Sequence, residues 1–99
     1  MNKVIEVQKE IDSIKSQVVG FTYRHFKGGI YIVTDVAVNT ETLELEVIYK
    51  PVNAPGLVWC RPLSMFLSEV DKEKHPYATQ KMRFEPVSYT HLTLPTTSR

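Results

Sequence analysis

The chain has 99 residues, so one domain with one core is expected, with little left over for a deep pocket. Hydrophobic residues make up 42% and charged residues 23%, a globular balance that argues against wholesale disorder. A net charge of +1 argues against a basic nucleic-acid surface, and a single cysteine, Cys60, excludes an intramolecular disulfide.

No charged-then-apolar leader opens the chain, and its longest apolar run falls far short of the roughly 20 residues that span a bilayer. The expectation is a soluble protein of a reducing, cytoplasmic compartment with no membrane partner. Val4, Val7, Ile11, Ile14 and Val18 recur at spacings of three and four, while Lys3, Glu6, Lys9, Glu10 and Lys15 fill the other side. That period predicts an amphipathic helix over residues 1–19, stopped near Gly20. A helix this short is marginal alone, so its apolar stripe must pack on something. It either covers one open end of the β domain or pairs with another chain.

Phe21 to His25 reads as a strand, and Lys27-Gly28-Gly29 as a hairpin turn. Ile30 to Val38 is the longest β-branched run and predicts a second strand. After the polar turn Asn39-Thr40-Glu41-Thr42, period-two alternation sets Leu43, Leu45, Val47 and Tyr49 on one face. Such alternation predicts a half-buried antiparallel strand. Pro51 to Gly56 is a loop, and Leu57 to Arg61 a fourth strand ended by Pro62. Leu63 to Phe66 predicts one helical turn, and Leu67 to Val70 a return to the sheet. The fold class expected is mainly β: a small barrel of about five antiparallel strands over residues 20–70, preceded by the helix. Residues 71–86 read as a polar arm in which Met82-Arg83-Phe84 adds a further edge strand.

Several segments together are distinctive: Tyr23-Arg24-His25-Phe26-Lys27-Gly28, Tyr31, Asn39-Thr40-Glu41-Thr42, Val47-Ile48-Tyr49, Trp59-Cys60-Arg61-Pro62 and Met65-Phe66. In this order they resemble the bacterial family called domain of unknown function 1653, over Gly20 to Val70. The resemblance implies a small SH3-like β-barrel and no particular activity. The helix lies outside that pattern, and Cys60 stands where the pattern implies an aliphatic residue. The tail from Val87 onward is similar to something else, a translated transposase adapter from a sequencing library. That resemblance implies a reading frame running off a metagenomic read, with residues 87–99 non-native and the natural C-terminus missing.

The soft ligands before the tail, His25, Cys60 and His75, are far apart in sequence, which gives no metal site and no cofactor. No nucleophile–base–orienter set stands out, so no catalytic residue is assigned. Cys60 alternates with Trp59, and the smaller thiol is expected to face inward as an inert core residue. Lys27-Gly28-Gly29 lacks the spacing of a phosphate loop.

The candidate binding residues are Tyr23, His25, Tyr31, Glu41, Trp59 and Arg61. Alternation groups Tyr23 with His25, and Trp59 with Arg61. A half-buried Arg61 requires an acidic partner, for which Glu41 is the first choice. Arg61, Glu41 and His25 then form a structural cluster, or Tyr23, His25, Tyr31, Trp59 and Arg61 line a groove, since aromatic residues with arginine are common anchors. The expected function is a non-enzymatic protein- or peptide-binding module. A nucleic-acid or ribonucleoprotein accessory role is the alternative, and enzymatic action on a small ligand is the weakest reading.

Overall fold

The computed structural model describes residues 2–54 and 56–87. Helix α1 (Asn2–Val18) leads into strands β1 (Thr22–His25), β2 (Ile30–Val38), β3 (Leu45–Pro51) and β4 (Trp59–Pro62). The single turn of α2 (Leu63–Phe66) follows, then β5 (Phe84–Pro86). The five strands form one antiparallel sheet in the order β4-β3-β2-β1-β5. The fold is therefore mainly β with an N-terminal helix. None of its described helices is long and apolar enough to cross a membrane.

α1 ends where its periodicity stops. Gly20 takes a φ of +88°, a left-handed conformation that suits glycine, and its N–H donates to the Val33 carbonyl at 2.8 Å. The end of the helix is thus pinned to β2 as the chain enters β1. Val7, Ile11, Ile14 and Val18 pack against the core, which is the covering role open to this stripe. Lys15, in the last turn, pairs with Asp35 at 3.2 Å.

The β1–β2 turn uses two positive-φ glycines, Gly28 and Gly29. At Gly29 a β-carbon would also press to 3.2 Å from the Tyr31 ring, so bulk is excluded there. The pairing of β2 with β3 slips between Val33 and Asp35. This bulge places one extra residue in β2, which allows Val33 and Val36, three apart in sequence, to be buried together. In β3, Leu45, Val47 and Tyr49 are buried, as alternation predicts. Leu43 does not continue that face. It lies outside the strand at a φ of +63°, in a loop organised by the Asn39 side chain, which accepts from the N–H groups of Glu41 and Thr42. The local Asx geometry outweighs the apolar alternation at its first position.

Two further expectations fail at the edges. Leu67 to Val70 does not rejoin the sheet. It makes only an isolated bridge, Glu69 with Met82, and the fifth strand is Phe84–Pro86 beside β1. The closed SH3-like barrel is also not formed, because β4 and β5 lie at opposite edges with no ladder between them. Each of these short strands ends in a proline, Pro62 and Pro86, which lacks the N–H a ladder needs. Side chains fill the space between instead.

The centre of the core is aromatic. Phe66, 1% exposed, stacks on Phe84 at 4.2 Å with 9° between the rings. Tyr23 and Tyr49 meet Phe66 edge-on at 5.1 and 5.8 Å, and Tyr49 meets Phe84 at 5.5 Å. We expect Phe84→Ala to lower unfolding stability by about 3–5 kcal/mol in urea titration. Tyr77→Ala, at a side chain 94% exposed, should stay within about 0.5 kcal/mol of the parent.

Candidate functional site

The pairing registers decide which side chains share a face. Tyr31 stands opposite Tyr23 across β1–β2, and Tyr49 opposite Trp59 across β3–β4. Arg61 stands opposite Val47, and His25 opposite Phe84. Residues directly opposite in a sheet point the same way. Tyr23, His25, Tyr31, Trp59 and Arg61 therefore all lie on the core-facing side, which curls so that the two edges approach. Arg61, on one edge strand, sets its guanidinium 5.7 Å from the centre of the Phe84 ring on the other.

The five residues play different parts. Tyr23 is buried against Phe66, and burial raises its phenol pKa. Tyr31 is half-buried and edge-on to Tyr49 at 5.5 Å. Arg61 is half-buried and donates from Nε to the Tyr49 hydroxyl at 3.2 Å. Trp59, in contrast, is 50% exposed on an edge strand.

Glu41 does not join them. It is exposed in the β2–β3 loop, beyond the Val38–Leu45 pair. The ion pair expected between Glu41 and Arg61 is not formed; Lys15–Asp35 is the one salt bridge among the described residues. Ring contact with Phe84 and the bond to Tyr49 satisfy part of the guanidinium instead. The cluster of Arg61, Glu41 and His25 is thereby lost as a structural unit, although Arg61 and His25 remain neighbours.

His25 sits among rings: 4.7 Å from Phe26, 4.8 Å from Phe84 and 6.4 Å from Tyr31. Its Nδ1 accepts from the Lys27 backbone N–H at 3.1 Å, which leaves the proton of the neutral ring on Nε2. Burial, and then the charges of Arg61, Arg83 and Lys27, hold its pKa down at about 4. Phe26 extends the row. Lys27 Nζ and the Arg83 guanidinium each lie 5.8 Å from its ring centre, and His75 stacks edge-on at 4.9 Å. Sequence reasoning passed over Phe26, Tyr49, Arg83 and Phe84. Of these, Phe26 beside Lys27, and Arg83 beside Phe84, pair a ring with a cation along the chain and could have been noticed.

Cys60 corrects another expectation. It is exposed, not inward, because it stands opposite Ile48, which alternates with the buried Val47 and Tyr49 and so faces away from the core. No group of three metal-binding side chains comes together among the described residues.

These features define a small antiparallel β domain whose core face ends in a row of aromatic rings and cations. A family model described as Protein of unknown function (DUF1653) matches residues 21–86, and the chain belongs to that family. The match runs past Val70 to include the arm and β5, while α1 lies outside it. Val87, where the tail expected to be non-native begins, is buried and donates its N–H to the Thr22 carbonyl; residues 88–99 lie outside the described residues. No curated protein and no solved structure matches the chain.

The His25 environment has a pH consequence. A folded-state pKa near 4 against about 6.5 unfolded means the unfolded chain binds more protons between those values, so stability rises with pH there. The contribution is complete above about pH 6.5 and is lost as pH falls towards 4. Denaturation of the parent and of His25→Gln across this window should show a steeper acid loss in the parent.

Proposed function

We propose that this protein is a non-enzymatic binding module that takes an extended peptide segment along β4. The observation that carries the reading is Trp59. It is half exposed on an edge strand, with Leu57 and Val58 beside it 52% and 68% exposed. An edge strand offers unpaired backbone groups, and protein edges are usually blunted by charge, proline or a bulge. β4 ends in Arg61 and Pro62, but from Leu57 to Cys60 the chain carries no charge and no proline, which leaves that stretch of the edge open. Such an edge suits β-augmentation, in which backbone bonds supply affinity and alternate side chains supply selectivity. Tryptophan with Arg61 on the same face is a common anchor composition. The strand order, with one helical turn before the last strand, supports an SH3-like reading of the fold despite the missing ladder. The single cysteine suits a reducing, cytoplasmic setting.

A nucleic-acid accessory role is the second reading, favoured by Phe26 with Lys27 and Arg83 against its ring. Residues 21–87 carry eight basic and eight acidic side chains, a balance that weighs against a phosphate-binding surface.

The chain has one tryptophan, so intrinsic fluorescence reports the site directly. Peptides selected from a display library should shift Trp59 emission to the blue and slow amide exchange along β4. Trp59→Ala should weaken binding by about tenfold or more while leaving the melting temperature near that of the parent. Unchanged affinity in this variant would remove Trp59 as the anchor.

A further inference from the structure

Two sites of opposite charge stand out in this molecule. Glu6, Glu10 and Glu44 line a groove of about 420 Å³ between α1 and the β2–β3 loop. The other site holds Lys27, Arg61 and Arg83 along the ring row Phe26–His25–Phe84. None of the three has a carboxylate at ion-pair distance among the described residues. Arg61 and Arg83 are both half-buried, where arginine is usually paired.

The hydrogen bonds sharpen this. Arg61 uses Nε on the Tyr49 hydroxyl, and Arg83 uses Nε on the Ser68 hydroxyl at 3.1 Å. No described group accepts from the Nη atoms of either, so the outer half of each planar fork is unclaimed. An unclaimed guanidinium fork matches the two oxygens of a carboxylate. Beside the cations, neutral His25 keeps Nε2–H as a further donor without adding charge.

The geometry points to this row as the seat for an acidic side chain of an extended peptide, so that the partner of the β4 edge is an acidic segment. The inference rests on the peptide-binding reading of that edge. Trp59 and Arg61 are two residues apart on one face of β4. A strand laid beside them presents its own side chains at the same period, so an apolar residue beside Trp59 sets an acidic residue two positions away beside Arg61. Charge complementarity selects acid over base. The balanced charge of residues 21–87 and the seating of these three cations against one row of rings select a short acidic segment over a nucleic-acid strand.

The test titrates Trp59 emission with a peptide repeating Thr-Val-Thr-Glu, its Thr-Val-Thr-Gln counterpart and single-stranded oligouridylate. The glutamate peptide should bind about tenfold tighter than the glutamine peptide at low salt, with the difference shrinking as salt rises. Lys27→Gln, at an exposed position that leaves the core alone, and Arg61→Gln should each reduce that preference by about threefold or more. Circular dichroism checks that both variants are folded. Equal binding of the two peptides overturns the acidic preference and leaves the peptide reading standing. Binding of neither removes both. Tighter binding of oligouridylate overturns the choice of peptide, and salt-sensitive self-association in sedimentation, seating another copy's acidic groove, overturns the choice of a separate partner.

Discussion

The stack of Phe66 on Phe84 is the contact on which the rest of this structure depends. It joins the only helical turn between the edge strands to the last strand, and it does so over the face of the sheet. Tyr23, Tyr31 and Tyr49 pack against the stacked pair, so each of the inner strands touches it through a ring. β2 contributes Val33 and Val36 beneath. Aromatic side chains supply much buried area per residue, which suits a chain too short to build a thick core. With this arrangement the sheet holds its curl without a hydrogen-bonded seam.

The same contact explains why the site has its character. Phe84 receives Phe66 on the inside, and Arg61 and His25 also lie against it. The cations are held by rings and hydroxyls rather than by carboxylates. That keeps them positioned while their charge stays available, a balance that an ion pair with Glu41 would have removed. Glu6, Glu10 and Glu44 gather instead between the helix and the β2–β3 loop, while Glu69, Asp71, Glu73 and Glu85 lie along the arm and β5.

Much of the local structure was legible in the residues. The spacing of Val7, Ile11, Ile14 and Val18 marks the helix, the β-branched run marks β2, and Leu63 to Phe66 forms the helical turn its residues predict. These signals are local, and local periodicity reports them. What was missed depended on pairing at a distance. Leu67 to Val70 was expected to pair and makes only an isolated bridge, while the edge strand expected at Met82-Arg83-Phe84 forms at Phe84–Pro86, where Phe84 lies over Phe66. Likewise Cys60 and Trp59 alternate in either order, and the register with Ile48 and Tyr49 chooses between them. Five of the six candidate site residues share one face because strand alternation is faithful within each element. Glu41 was misplaced because a loop residue carries no periodic constraint.

The bulge in β2 bears on how length and shape are coupled in this domain. A bulge adds local twist and bend to the strand that carries it. A chain lacking Thr34 would run through this stretch as a regular ladder, still turning Val33 and Val36 inward. It would lose the bend, however, and with it part of the curl that brings Arg61 over Phe84. One residue of length in the middle strand therefore sets the separation of the two outer ones. Relatives that differ by a single deletion there would keep the same core composition and yet hold a wider, flatter surface for whatever they bind.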